Sequence, residues 1–183
     1  MRFTLAPEEK NLVQRSLNGD AKAQQRLYRK YVQAMYNTVI RMVPNKMDAE
    51  DIVQESFVKV FRNLDYFKGD ATLGAWIKRI TINTTLNFIR KHQKIRFSEL
   101  EQVELSVSPE IREDRLPLPM KFIHHAIKQL PKGTRVVFTL HLIEGYQHKE
   151  IAQILGISES TSKSQYQRAR RLLKQSLKSK LEY

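Results

Sequence analysis

Three groups of side chains in this 183-residue sequence have types and spacings that could do chemistry, and in each the chemistry is binding. Near the C-terminus, Lys163, Ser164, Gln167, Arg171, Lys174 and Lys178 fall on one side of a helix turned at ~100° per residue, with Arg168 at the edge. Thr161, Tyr166, Ala169, Leu172, Leu173 and Leu177 fall on the other. Gln and Arg make bidentate contacts to base edges, and Lys and Arg grip phosphate, so this face suits a major groove. Its bland alternative is a solvated basic face on an ordinary helical hairpin. In 72–91, Trp76, Arg79, Asn83 and Arg90 share a strip about sixty degrees wide. Aromatic, guanidinium and amide groups together suit single-stranded nucleic acid, where bases stack and phosphates pair. Trp76 also reads as a core residue anchored by Leu73, Ile77 and Ile80, or as both at once. In 48–64, Asp51, Gln54, Glu55, Val58 and Arg62 lie opposite Ala49, Ile52, Val53, Phe57, Val60, Phe61 and Leu64. The acidic cluster Asp48, Glu50, Asp51 and Glu55 stands out in so basic a chain. It reads either as a complement to a helix N-terminal dipole or as a docking face for a protein, with Val58 as apolar contact.

Catalytic chemistry has no comparable support. No Ser/His/Asp constellation, carboxylate cluster for metals or Gly-rich phosphate loop occurs, so no catalytic residue, small-molecule substrate or cofactor is expected. Cysteine is absent, which removes disulfides and thiolate-ligated zinc. His92, His124, His125, His141 and His148 form no i, i+4 pair and no metal-ligand spacing, so no metal site is expected.

Helices must position these groups. Leu12, Val13 and Leu17 begin a short first helix. Asp20 is the expected N-cap of a second, in which Leu27, Tyr28, Tyr31, Met35, Val39 and Met42 recur at three and four. Pro44-Asn45 ends it. Asp48 is the expected cap of a third helix running to about Leu64, followed by a loop at Phe67-Lys68-Gly69-Asp70 and a fourth helix opened by Thr72. Further on come a helix over 121–129, a stop at Pro131, a helix over 134–143, a turn at Glu144-Gly145 and two last helices. No alternating run is long enough for a strand, so the expected fold class is all-α. The segment Lys149 to Ser164 has helix-turn-helix spacing. Ala152 is small where helices cross, and Gly156 suits a turn with positive φ. Ile157 can tuck between the helices, and Ser158 can cap the second.

Charge divides the chain. Residues 1–94 carry net +8, residues 95–120 net −3, and residues 121–183 net +8, giving +13 in all. The middle piece holds Pro109, Pro117 and Pro119, which reads as a linker between two small helical domains. The positive excess favours a polyanionic partner. The N-terminus has no apolar h-region. The longest apolar stretch, Val136 to Ile143, is far short of the ~20 residues a spanning helix needs, so a soluble cytoplasmic protein is expected.

These pieces, in this order, resemble the extracytoplasmic-function class of sigma factors, over residues ~10–94 and ~121–178. Asp48 to Phe61 is similar to the family's core-polymerase-binding helix, Phe67 to Asn83 to its minus-ten loop and helix, and Gly145 to Arg171 to its minus-thirty-five helix-turn-helix. The resemblance implies partners: core RNA polymerase through the clamp helices of the β′ subunit, promoter DNA, and an anti-sigma factor that holds the protein inactive. It implies site residues as well. Asp48, Asp51, Gln54, Glu55 and Val58 would meet the polymerase. Phe67, Lys68, Asp70, Trp76, Arg79, Asn83 and Arg90 would hold the melted minus-ten strand. Lys163, Ser164, Gln167, Arg168, Arg171 and Lys174 would engage the minus-thirty-five element. The acidic linker would thread near the RNA path. One position departs: Gln147 stands where the family commonly has serine as a helix cap, which weakens that helix end by ~1 kcal/mol. A helix-turn-helix repressor or activator with a helical regulatory domain is the rival. It explains 145–178 but neither the acidic face nor the Trp76 strip. An enzyme acting on nucleic acid is a third reading, without residues to support it.

Overall fold

The computed structural model describes residues 6–92 and 120–178, and the chain divides into two compact units between Gln93 and Lys94. The linker expected over 95–120, with its three prolines, lies outside the described residues apart from Met120. Every regular element among the described residues is helical, and none of these helices is long and apolar enough to cross a membrane.

The first unit is built on α1 (Pro7–Leu17), α2 (Ala21–Met42), α3 (Lys46–Arg62), a 3-10 turn (Leu64–Tyr66) and α4 (Leu73–His92). Asp20 caps α2 as expected, its carboxylate accepting from the Lys22 and Ala23 N–H groups at 2.9 and 3.1 Å. The cap of α3 is Asn45 rather than Asp48. The Asp48 N–H donates to Asn45 Oδ1 at 3.0 Å, which puts Asp48 inside the first turn, where a carboxylate meets the positive end of the helix. Pro44 decides this. It cannot donate to a continuing α2, and the next residue able to accept from the new helix's free amides is Asn45. Thr72 opens α4 as expected, its hydroxyl accepting from the Ala75 N–H at 3.2 Å.

The core of this unit includes the apolar stripes read from the periodicity, with Leu27, Met42, Ile52, Leu64, Leu73 and Ile77 among its fully buried side chains, and adds Ile82, Leu86 and Ile89 of α4, which that reading did not name. Thr81, Thr84 and Thr85 are buried beside them because each hydroxyl donates to a carbonyl four residues back, at 2.8–3.0 Å. Tyr31 is a junction. Its hydroxyl donates to Glu9 on α1, with Lys30 pairing the same carboxylate at 2.7 Å. Its ring lies so close to Gly74 on α4 that a Cβ there would approach it to 3.1 Å.

The second unit comprises α5 (Met120–Gln129), α6 (Lys132–Phe138), a π-helical turn (Thr139–Ile143), α7 (His148–Leu155) and α8 (Glu159–Lys178). The single helix expected over 134–143 begins two residues earlier, after Pro131, and changes to π pitch at Thr139. Periodicity cannot separate the two, since one added residue per turn barely alters a short apolar run. Ile127, Leu130, Phe138 and Ala169 form a core against which Tyr166, Leu172 and Leu173 pack. The buried guanidinium of Arg135 donates to the carbonyls of Lys128 and Leu130 at 2.8 and 3.1 Å, satisfying the C-terminal end of α5.

Candidate nucleic-acid and protein-docking surfaces

The acidic face lies on α3. Ala49, Ile52, Val53, Phe57 and Val60 are all buried against α2 and α4, which turns Asp51, Gln54, Glu55 and Val58 outward. Val58 is 48% exposed, an apolar side chain among charges. Asp48 is only half-buried, at the edge of the face, and Met47 beside it, 75% exposed, is an apolar neighbour that periodicity did not single out. Glu55 is bridged by Lys59 at 2.6 Å and Glu50 by Lys46 at 3.7 Å. Both pairs are exposed, so they hold the carboxylates weakly and leave them available to another cation. A groove of about 420 Å³ between α2 and α3, lined by Tyr28, Val32, Tyr36, Lys46, Glu50 and Gln54 among others, borders the face.

The aromatic-basic strip lies on α4 and the loop before it. Arg79, Asn83 and Arg90 are exposed. Arg90 donates to Asn87 Oδ1 at 3.2 Å. Trp76 is half-buried, so part of it packs and part stays accessible, in keeping with the third of the readings its sequence context allows. Its ring meets Phe67 with centroids 5.5 Å apart and planes inclined at 59°. That contact ties the loop to the helix and puts Lys68 and Asp70, both exposed, beside the strip. Gly69 takes φ +76°, a conformation glycine reaches without strain. Tyr66, 67% exposed, adds an aromatic ring just ahead of the loop.

The helix-turn-helix is α7, its turn and α8. Gly156 has φ +70° at the C-terminus of α7, and Ile157 and Ala152 are buried between the helices. The Ser158 hydroxyl accepts from the Thr161 N–H at 3.0 Å, which starts α8 where the spacing placed it. The entry to α7 is closed from Glu150, whose carboxylate accepts from the Gln147 N–H at 2.7 Å, so the missing serine is offset by the other half of a capping box.

On α8, Gln167, Arg171 and Lys174 are exposed, as is Lys163, which reaches Glu159 at 2.7 Å. Ser164 is half-buried and donates to the Thr161 carbonyl at 2.9 Å; Arg168 is half-buried as well, consistent with its place at the edge of the wheel. The inner face holds two polar residues that periodicity did not assign. Gln165 is fully buried and accepts from Thr134 at 2.6 Å, and Ser162 is fully buried and lies 2.9 Å from His148 Nδ1. They orient α8 on its support through partners on other helices, Thr134 of α6 and His148 of α7. Among the described residues no group of three His, Asp or Glu side chains is arranged to hold a metal ion.

Comparison with known proteins finds two family matches in the chain. The family description "Sigma-70 region 2" matches residues 27–95, and "Sigma-70, region 4" matches residues 123–173. The chain is 31% identical over 178 residues to the ECF RNA polymerase sigma-E factor of Salmonella typhimurium, covering 87% of this chain and 88% of that one. It is 30% identical over 185 residues to the RNA polymerase sigma-H factor of Pseudomonas aeruginosa, covering 93% and 94%. In fold it is similar to the sigma factor RpoE in complex with the anti-sigma factor NepR from Bartonella quintana, with TM-score 0.57, 23% identity, and coverage of 84% of this chain and 96% of that one.

Proposed function

The chain belongs to the extracytoplasmic-function class of the sigma-70 family, and from that premise we propose which of its surfaces does which part of the work. As a sigma factor it directs core RNA polymerase to promoters, by binding and without an active site of its own. Both families of residues matched are needed for that. A free-standing helix-turn-helix regulator would leave residues 27–95 without a role.

In our reading residues 1–94 form the domain that docks on polymerase and takes the minus-ten element, residues 95–120 are the tether, and residues 121–183 form the domain for the minus-thirty-five element. Asp51, Gln54, Glu55 and Val58, flanked by Asp48, meet the β′ clamp helices. The observation that carries this is the outward α3 face, acidic with an apolar centre at Val58, in a chain of net charge +13. Such a face is unsuited to DNA and suited to a basic and apolar protein surface. Phe67, Lys68, Asp70, Trp76, Arg79, Asn83 and Arg90 hold the melted strand, with bases stacking on the aromatic rings and phosphates on the guanidinium groups. Lys163, Ser164, Gln167, Arg168, Arg171 and Lys174 engage the duplex, the amide and guanidinium groups reading base edges and the lysines neutralising phosphate. The protein works in the cytoplasm, where the polymerase is, and is held inactive by an anti-sigma factor; the complex named for the RpoE–NepR structure supports that regulation.

The test is run-off transcription with purified core polymerase on genomic fragments, with start sites mapped. Discrete starts that require this chain support the reading. Binding of the chain to duplex DNA without any promoter-directed transcript would refute it.

A further inference from the structure

His141 and His148 stand on either side of the turn at 144–147, and neither belongs to the surfaces just assigned. Their rings stack with centroids 4.0 Å apart and planes inclined at 22°. Tyr166 of α8 closes the stack, edge-on to His141 at 4.6 Å and 5.7 Å from His148. Each imidazole is anchored through Nδ1. His141 Nδ1 lies 2.8 Å from the Tyr146 carbonyl oxygen. A carbonyl can only accept, so this nitrogen carries the ring proton and a second proton would go to Nε2. His148 Nδ1 lies 2.9 Å from the hydroxyl of Ser162, on the buried side of α8. The cluster therefore joins the π turn, the first turn of α7 and α8.

The surroundings of His148 oppose positive charge. Two imidazolium rings at stacking distance would repel each other. His148 is the first residue of α7, at the positive end of the helix dipole. Lys149 follows it on the same helix, and Lys163 faces it from α8. Among the described residues Glu159 on α8 acts on His148 in the opposite sense, and its carboxylate is already held by Lys163. Glu150, on the outer side of the same first turn, is engaged with the Gln147 N–H. Burial, then the His141 ring, then Lys163 hold the His148 pKa below the usual imidazole value.

We propose that the His141–His148 stack is an acid-labile latch on the helix-turn-helix: neutral, it holds α7 and α8 in the arrangement that engages duplex DNA, and protonation releases it and weakens that engagement. The inference rests on the assignment of duplex binding to α8. Because the folded pKa of His148 lies below its unfolded value, its contribution is complete above about pH 6.5 and is lost as pH falls through the folded value. General acidification adds positive charge to the chain and would by itself strengthen DNA binding, so the latch predicts a change of opposite sign.

The experiment uses the full chain at pH 7.5 to 5.5, as wild type, His148→Gln and His141→Phe. His148→Gln keeps a polar group within reach of Ser162 without a titrating charge, and His141→Phe keeps the ring. NMR follows the imidazole resonances of His148 and the amides of Ser162 and Tyr166. Fluorescence anisotropy follows binding to a duplex carrying the minus-thirty-five element of a promoter mapped by run-off transcription. In the wild type the Ser162 and Tyr166 amides are expected to move with the His148 titration, and duplex affinity to fall roughly tenfold, within the range usual for coupling between two sites. His148→Gln should abolish most of that fall. Identical pH dependence in wild type and variants, or amides that ignore the His148 titration, overturns the latch. Loss of duplex binding at every pH would refute the assignment of α8 instead, and the wild-type NMR titration would still decide the latch, including where a variant fails to fold.

Discussion

The Thr134 hydroxyl donates a 2.6 Å hydrogen bond to the side-chain oxygen of Gln165, joining the start of α6 to the middle of α8 through the interior of the C-terminal unit. Both side chains are buried, at 1% and 0% exposure, so neither can exchange its partner for water. The bond fixes the rotation of α8 about its own axis, and that rotation decides which residues face outward.

Thr134→Val keeps the side-chain shape and removes the donor. A buried acceptor deprived of its partner costs about 1–3 kcal/mol, and a loss in that range is expected in urea denaturation. Thr134→Ser retains the hydroxyl and should retain most of the stability. Equal losses from both substitutions would show that the methyl group, not the hydrogen bond, holds the helix.

This pair also marks where sequence reading stops. Apolar periodicity identified α2, α3, α4 and α8 and their buried faces, because Leu27, Ile52, Ile77 and Ala169 each lie in a run whose 3.6-residue repeat is independent of tertiary context. Gly156 and Ser158 were legible for a related reason: a positive φ and a helix cap are local requirements met by particular residue types. Gln165 and Ser162 were not, since a polar side chain on the inner face is explained only by a partner on another helix. The same holds for Phe67 against Trp76 and for His141 against His148, pairs joined across a loop with no repeat to announce them. Between Asn45 and Asp48, both good caps, only the place where Pro44 releases the chain makes the choice.

The Phe67–Trp76 contact sets a limit on what truncation costs. Replacing a fully buried Trp with Ala costs about 3–5 kcal/mol. Trp76 is half-buried, so Trp76→Ala is expected to fall below that range in thermal or urea denaturation. Arg79→Ala and Asn83→Ala remove exposed groups and should leave stability within ~0.5 kcal/mol of wild type. Together they are expected to slow open-complex formation, read as reduced permanganate reactivity of the minus-ten thymines. Normal melting by the folded double variant would remove the strip from strand binding.

The base and phosphate contacts proposed for α8 would separate by their dependence on sequence. Gln167→Ala or Arg168→Ala should each cost ~1–3 kcal/mol on the preferred minus-thirty-five duplex and relax the preference at one position. Lys174→Ala should weaken binding to all duplexes alike and flatten the salt dependence, because phosphate contacts carry no base information. Binding measured across single-base variants of the element distinguishes these outcomes. Uniform losses for all three substitutions would make the face an electrostatic grip alone.

The acidic face of α3 separates docking from folding most sharply. Asp51, Gln54 and Glu55 are spaced i, i+3 and i+4, and all are exposed, while the stripe they oppose, Ile52, Val53, Phe57 and Val60, is buried. Replacing Asp51 and Glu55 by arginine therefore touches no core contact. It removes the 2.6 Å pair between Glu55 and Lys59 and sets like charges four residues apart, but an exposed pair of this kind is worth only ~0–1 kcal/mol. Helical content and melting temperature should stay close to wild type. A protein contact is less tolerant. Reversing two charges replaces attraction with repulsion at a surface that must shed water to bind, and like-charge juxtaposition there costs several kcal/mol. The Asp51→Arg, Glu55→Arg chain is thus expected to lose core polymerase in a pull-down and to lose all promoter-directed transcription, while its helix-turn-helix still binds duplex weakly. A folded double variant that binds polymerase normally would move the docking site off α3, leaving Val58 and Met47 as exposed apolar side chains with no partner assigned to them.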